Sequence, residues 1–161
     1  MKPALVIVDV QHDSCPGGAL ATEKGNKVAD RIGALQPSYD TVVATQDWHI
    51  DPGSHFSENP DFVDSWPVHC VADSFGAAMH ESIGAVQAYF RKGEYTAAYS
   101  GFEGAANGVS LADWLREHDI TDVDIVGIAT DHCVSATAAD AVKEGFTCLL
   151  YTSDAADDMQ C

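Results

Sequence analysis

Four runs of nearly continuous apolar residues mark the chain: ALVIVDV at 4–10, TVVATQ at 41–46, AVQAYF at 85–90 and DVDIVGIA at 122–129. Each is short and rich in β-branched residues, with apolar side chains at successive and not only alternate positions. That pattern predicts strands of a parallel sheet covered on both faces. Between the runs the period changes to a helical one. Val28, Ile32 and Leu35 recur within 22–35, SLADWLREHD at 110–119 opens on Ser110 as an N-cap, and CVSATAADAVKEG at 133–145 stops at Gly145. The alternation predicts an α/β fold, a doubly wound, mostly parallel sheet flanked by helices. The stretch 50–84 is richer in Gly, Pro, Asp and His and is expected to be an elaborated loop region with one short helix.

Length and composition narrow this picture. The 161 residues, 46% of them hydrophobic, suffice for one domain with a single substantial core. No repeat, low-complexity tract or linker interrupts 1–147. The start, MKPALVIVDVQ, reads as a first strand and not a signal peptide, and no apolar run is long enough for a membrane helix. The formal charge is −17 with eight scattered Lys and Arg, which argues against nucleic acid and anionic membranes as partners. Five cysteines without framework spacing fit a reducing cytoplasm. The segment 148–161 looks foreign: CLLYTS can be encoded by TGTCTCTTATACACATCT, which resembles a transposon-end adaptor used in sequencing libraries. The expected division is a domain over 1–147 and a non-native tail over 148–161, with the C-terminal strand and helix missing.

The reactive residues fall where the strands end. Ligands of open α/β sheets bind outside the carboxyl ends of the strands, and there the chain places Asp9, Asp47, Lys92 and Cys133. Cys133 stands at a strand-to-helix junction, where free N–H groups favour a thiolate. A neighbouring Lys92 is expected to lower the thiol pKa further, and Asp9 to take the thiol proton and deliver it to a leaving group. The bland alternative for Cys133 is a buried apolar cysteine. A second group lies in QDWHIDPGSHFS and WPVHC: Asp47, His49, His55 and His69 make a sound ligand set for one divalent metal ion, zinc, iron or manganese. Asp51 is an alternative carboxylate. His12, His80, His118 and His132 carry no assigned chemistry; His80 and His118 are expected to be exposed, and His132 to help position the loop before Cys133.

Five blocks, VDVQHDSCPGGAL, TQDWHIDPGSHFS, WPVHC, RKGEYTAAYSGFEG and GIATDHCVSATAADAV, resemble in order the motifs of the nicotinamidases, among the isochorismatase-like cysteine hydrolases. The likeness spans 4–145. It implies a six-stranded, mostly parallel sheet, a catalytic triad of Asp9, Lys92 and Cys133, and metal ligands Asp47, His49, His55 and His69. It also implies an oxyanion hole from the backbone N–H groups of Ala129 and Cys133, with a cis peptide between Ile128 and Ala129. Trp66 matches an aromatic wall of the substrate pocket. The implied activity is hydrolysis of nicotinamide, and of pyrazinamide, through a cysteine thioester, with a small aromatic amide as the partner.

Two departures qualify the likeness. Ser14 stands where the family usually has a Phe that packs on the substrate ring, a loss of about 1–3 kcal/mol of apolar contact, so weaker binding or a somewhat different amide stays open. His12 replaces the usual Asn. The rival readings are another amide or carbamoyl hydrolase of the same superfamily, a non-catalytic metal-binding or redox protein, and a truncated, inactive product. The sequence leaves the oligomeric state open.

Overall fold

The first apolar run forms β1 (Ala4–Val8), all five of its residues buried. Ala4, Val6 and Val8 point to one face and Leu5 and Ile7 to the other, and each face has its own apolar cluster. Burial on both sides explains why the run does not alternate, and each larger side chain contributes about 1.5–3 kcal/mol. In this computed structural model, which describes residues 3–128, 130–150 and 159–160, β1 lies at the centre of the sheet. β2 (Val42–Asp47) and β3 (Tyr89–Lys92) follow on one side, and β6 (Asp122–Gly127) and β7 (Thr147–Leu150) on the other, all parallel. The short strands β4 (Ala105–Ala106), β5 (Val109–Ser110) and β8 (Met159–Gln160) pair antiparallel at the two edges, giving eight strands among the described residues in the order β5-β4-β3-β2-β1-β6-β7-β8.

Three α-helices among the described residues cover the faces. α1 (Gly25–Leu35) packs Ala29 and Ile32 against Leu5, Ile7 and Ala44. α2 (Leu111–Glu117) and α3 (Ser135–Lys143) cover the opposite face with Leu111, Leu115, Ala138 and Ala141. Ser110 caps α2 as its sequence suggests, its side chain accepting from the Asp113 N–H at 3.2 Å. A π-helical turn, Thr130–Val134, joins β6 to α3, so Cys133 lies inside this turn and not at the first residue of an α-helix. The core of the domain follows the expected doubly wound plan. The direction of winding reverses between β1 and β6, which puts a crevice at their carboxyl ends.

Several local expectations are corrected. The sheet has more than six strands. The third strand begins at Tyr89 and not at residue 85, because the Gln87 side chain, not a strand backbone, accepts the Val42 N–H at 2.6 Å. The stretch 50–84 holds no α-helix, only single 3₁₀ turns at Gly53–His55 and Phe75–Ala77. The β4–β5 hairpin went unpredicted although Asn107-Gly108, both at positive φ, is a strong two-residue turn signal. Strand β7 runs from Thr147 to Leu150, into the segment read as foreign; the rest of that tail lies mostly outside the described residues. Cys15, Cys70 and Cys133 are free thiols, whereas Cys148 is disulfide-bonded, against the reading of the cysteine spacing. No helix among the described residues is long and apolar enough to cross a membrane.

Candidate active site

The crevice between β1 and β6 is built by backbone that leaves ordinary strand geometry. Asp9, directly after β1, takes the left-handed conformation (φ +54°), which is sparsely populated by residues other than glycine. Across from it β6 ends at Gly127, in register with Val8. A Cβ at Gly127 would collide with the Val8 carbonyl oxygen, so the close approach of the two strand ends requires a glycine. The Asp9 and Cys133 side chains both face the cavity that opens there, about 380 Å³ in volume and shared with Asp47, His55, His69 and Trp66.

Lys92, at the end of β3, is fully buried and connects the charges. Its Nζ lies 2.5 Å from Asp47 Oδ1, 3.0 Å from Asp9 Oδ2 and 3.7 Å from Cys133 Sγ. Thr45 donates its hydroxyl to Asp9 Oδ1 at 2.7 Å, which leaves Oδ2 without a hydrogen bond and resting on the ammonium. One carboxylate oxygen from each of Asp9 and Asp47 and the Cys133 sulfur lie within 4.8 Å of one another. Strand tips far apart in sequence therefore converge on one ammonium.

The electrostatics differ from expectation at the sulfur. Burial raises the Cys133 thiol well above its ordinary pKa; Lys92 opposes this, but Asp9 and Asp47 reinforce it. The expected lowering of the thiol is overturned, because burial, with Asp9 and Asp47 beside it, outweighs the pull of the Lys92 ammonium. Burial also raises the Asp9 carboxyl, against the pull of Lys92 and with a push from Asp47. Asp47 is held below the usual carboxylate range, since Lys92 and His49 outweigh its burial. Burial alone would deprotonate Lys92, but Asp47 and Asp9 raise it well above the free value. Burial thus favours the neutral thiol, while the paired charges favour the ammonium at Lys92 and the carboxylate at Asp47.

Beside this cluster three imidazoles converge. One ring nitrogen from each of His49, His55 and His69 falls within 4.8 Å of the others. Asp47 Oδ2 lies 3.8 Å from both His49 Nε2 and His69 Nε2. The far nitrogens are engaged: His49 Nδ1 contacts the Gly93 carbonyl and His69 Nδ1 the Pro67 carbonyl, each at 2.7 Å. Those contacts fix the rings with Nε2 free to ligate. His49 Nε2 and His55 Nδ1 are buried without a hydrogen-bond partner. Orphaned, converging nitrogens beside a carboxylate fit a divalent cation, because burying such groups unpaired is costly. Burial, then His49 and His69, lowers the His55 imidazole to about 4, and burial lowers His69 as well, so both keep a free lone pair near neutrality. Asp51, the alternative carboxylate, is exposed and accepts the Gly53 N–H at 3.3 Å instead.

Comparison with known proteins fits this geometry. A family model described as an isochorismatase domain matches residues 3–159. The chain belongs to the isochorismatase family. This isochorismatase-family chain is 54% identical to a nicotinamidase/pyrazinamidase of Mycobacterium tuberculosis over 148 residues, 88% of the chain and 80% of that protein. Its fold is similar to that of PnC1 from L. infantum in complex with nicotinate (TM-score 0.81, 36% identity, 96% of this chain and 83% of that one). It is also similar to the pyrazinamidase of Pyrococcus horikoshii in complex with zinc (TM-score 0.75, 36% identity, 93% and 83%).

The remaining site residues divide. Ser14 and Trp66 line the cavity. Ala129, its N–H and the peptide before it lie outside the described residues. His80 is buried, not exposed, and bonds Asn26 at 2.9 Å. Sequence reasoning gave His132 only a loop-positioning role, yet it lines the cavity with its ring 5.1 Å from that of Trp66; it passed over Tyr99, whose hydroxyl accepts from the Trp66 indole N–H at 3.3 Å. It also passed over Gln11, fully buried, whose amide donates to the Asp47 carbonyl at 2.8 Å and accepts the Asp47 N–H at 3.0 Å. A glutamine closing an apolar run was the available signal, since an amide is buried only with partners.

Proposed function

We propose that this chain is an amidohydrolase that converts nicotinamide to nicotinate and ammonia, and accepts pyrazinamide, in the cytoplasm. The observation that carries the reading is the single buried ammonium of Lys92 touching Asp9, Asp47 and the Cys133 sulfur on the floor of one cavity. The names and ligands of the similar proteins support it.

In this mechanism the thiol stays protonated until substrate arrives. Asp9, made more basic by burial, takes the S–H proton as the sulfur forms a bond to the amide carbon and the carbonyl π pair moves to oxygen. The N–H groups of Ala129 and Cys133 are assigned to that oxyanion; removing one such donor costs about 2.7–4 kcal/mol elsewhere. The oxyanion then collapses, the C–N bond breaks, and Asp9 hands its proton to nitrogen, releasing ammonia. Water gives a proton to Asp9 and attacks the thioester carbon, and the departing sulfur regains a proton. The sum is amide plus water to acid plus ammonia. Lys92 remains an ammonium throughout and stabilises Asp9 and the sulfur in every charge state. Asp47, His49, His55 and His69 would hold one zinc, iron or manganese ion, which supplies a Lewis-acid position for a ring nitrogen or a water. Trp66 forms an aromatic wall for the ring, and Ser14 leaves its own part of the lining small.

The test is ammonia release from nicotinamide by the wild type and by Cys133→Ala. The wild type is expected to release ammonia and the variant none above background. Equal release from both would remove Cys133 from the reaction.

A further inference from the structure

Phe62 holds the left-handed backbone conformation (φ +57°), a genuine outlier for a bulky residue. The residue is 54% exposed, so folding leaves about half of it in solvent. Its ring nevertheless lines the cavity that holds Cys133 and Asp9, and stands edge-on to Trp66 with centroids 5.6 Å apart. A strained backbone carrying a half-solvated aromatic ring gains little for the fold. It gains something when a second apolar surface enters the cavity and covers the ring.

The loop around it is braced to hold that pose. Asp61 Oδ1 accepts the N–H groups of Val63, Asp64 and Ser65, each at 2.9 Å, and the Ser65 hydroxyl at 3.1 Å. The Phe62 N–H donates to the Ser65 carbonyl at 3.0 Å. Tyr99 ties this loop to the indole: its hydroxyl donates to the Val63 carbonyl at 3.1 Å and accepts from Trp66. We infer that Phe62 is a specificity-determining residue that, with Trp66, forms an aromatic wall against the ring of an aromatic amide, and that Asp61 is a positioning residue that holds Phe62 there. The class of ligand rests on the amidohydrolase reading above.

Binding is measured without turnover, in a Cys133→Ala background, by titrating nicotinamide calorimetrically. Phe62→Gly is expected to raise Kd about ten-fold, the effect of losing roughly half a phenyl ring of apolar cover. Its Tm should not fall, because glycine adopts this backbone conformation without strain. Asp61→Ala should raise Kd to a similar extent. Asp61→Asn, whose amide oxygen accepts the same N–H bonds, should bind like the parent. An unchanged Kd in Phe62→Gly, or a raised Kd accompanied by a lower Tm, overturns the inference, and so does a parent that does not bind nicotinamide. A parent that binds, beside a wild type that releases no ammonia, sinks the hydrolytic reading and leaves this one standing.

Discussion

The two halves of the cavity floor settle their buried polar groups in different ways. On the Cys133 side the charges answer one another: Asp9, Asp47 and the sulfur all sit on the Lys92 ammonium, and Thr45 supplies the remaining hydrogen bond. On the histidine side the outer nitrogens of His49 and His69 are tied to backbone carbonyls, but His49 Nε2 and His55 Nδ1 are buried with no hydrogen-bond partner. The first half balances its charges within the chain; the second leaves buried nitrogens that fit a cation. Asp47 belongs to both, one oxygen on Lys92 and the other turned to the imidazoles. Under the proposed reading the contrast separates residues that make chemistry from residues that make a binding position, and it can be broken from either side.

The largest expected effect comes from the thiol. Cys133→Ala should cut ammonia release from nicotinamide by at least about 10⁴-fold while leaving zinc uptake, measured by calorimetry, at the wild-type stoichiometry. Loss of metal uptake in that variant would mean the halves do not act separately. Lys92→Met comes next. It leaves two buried carboxylates without their cation, and removing one partner of such a group costs about 3–5 kcal/mol. Urea denaturation should show that loss; a midpoint near the wild type would mean Asp9 and Asp47 carry no buried charge in the fold.

The sequence made the charged half easier to read than its consequences. Asp9, Asp47, Lys92 and Cys133 each end an apolar run, and a parallel sheet must bring such ends to one rim, so their meeting followed from pattern alone. What the pattern did not carry was the number of charges sharing Lys92. The thiol was read beside one lysine and one acid; burial raises it instead, and both carboxylates reinforce that against Lys92. The cavity walls were harder still. Trp66 came from a motif, but Phe62 and Tyr99 reach the cavity from irregular loops and His132 from a π-helical turn, where no 2- or 3.6-residue period tells which way a side chain points. The Asn107-Gly108 turn was legible and missed, because the flanking strands are too short to show alternation.

A cation should sharpen the contrast. Added zinc at about 100-fold above its Kd should stabilise the metal-free wild type by about 2.7 kcal/mol. The same addition should do much less for His49→Ala, which lacks one of the converging nitrogens, and as much for Cys133→Ala. A thermal shift that survives in His49→Ala but disappears in Cys133→Ala would place the ion on the other side of Asp47.

The smallest effect concerns protons on the histidine side of the metal-free protein. A free imidazole titrates near about 6.5, and burial with the neighbouring His49 and His69 lowers His55 to about 4. Between these values the unfolded chain binds a proton that the folded chain refuses, so stability rises with pH there. On acidification the loss therefore begins near about 6.5 and levels off below about 4, at no more than about 1.4 kcal/mol per pH unit for one group. Burial shifts His69 in the same direction, so it shares the slope. His55→Gln removes one contributor and leaves the other, and its metal-free form should lose less stability than the wild type between about pH 6.5 and 4.5. Urea midpoints across that interval measure the difference. Parallel curves would mean that the buried imidazole is not held neutral, and with that the argument that His55 waits for a cation would fail.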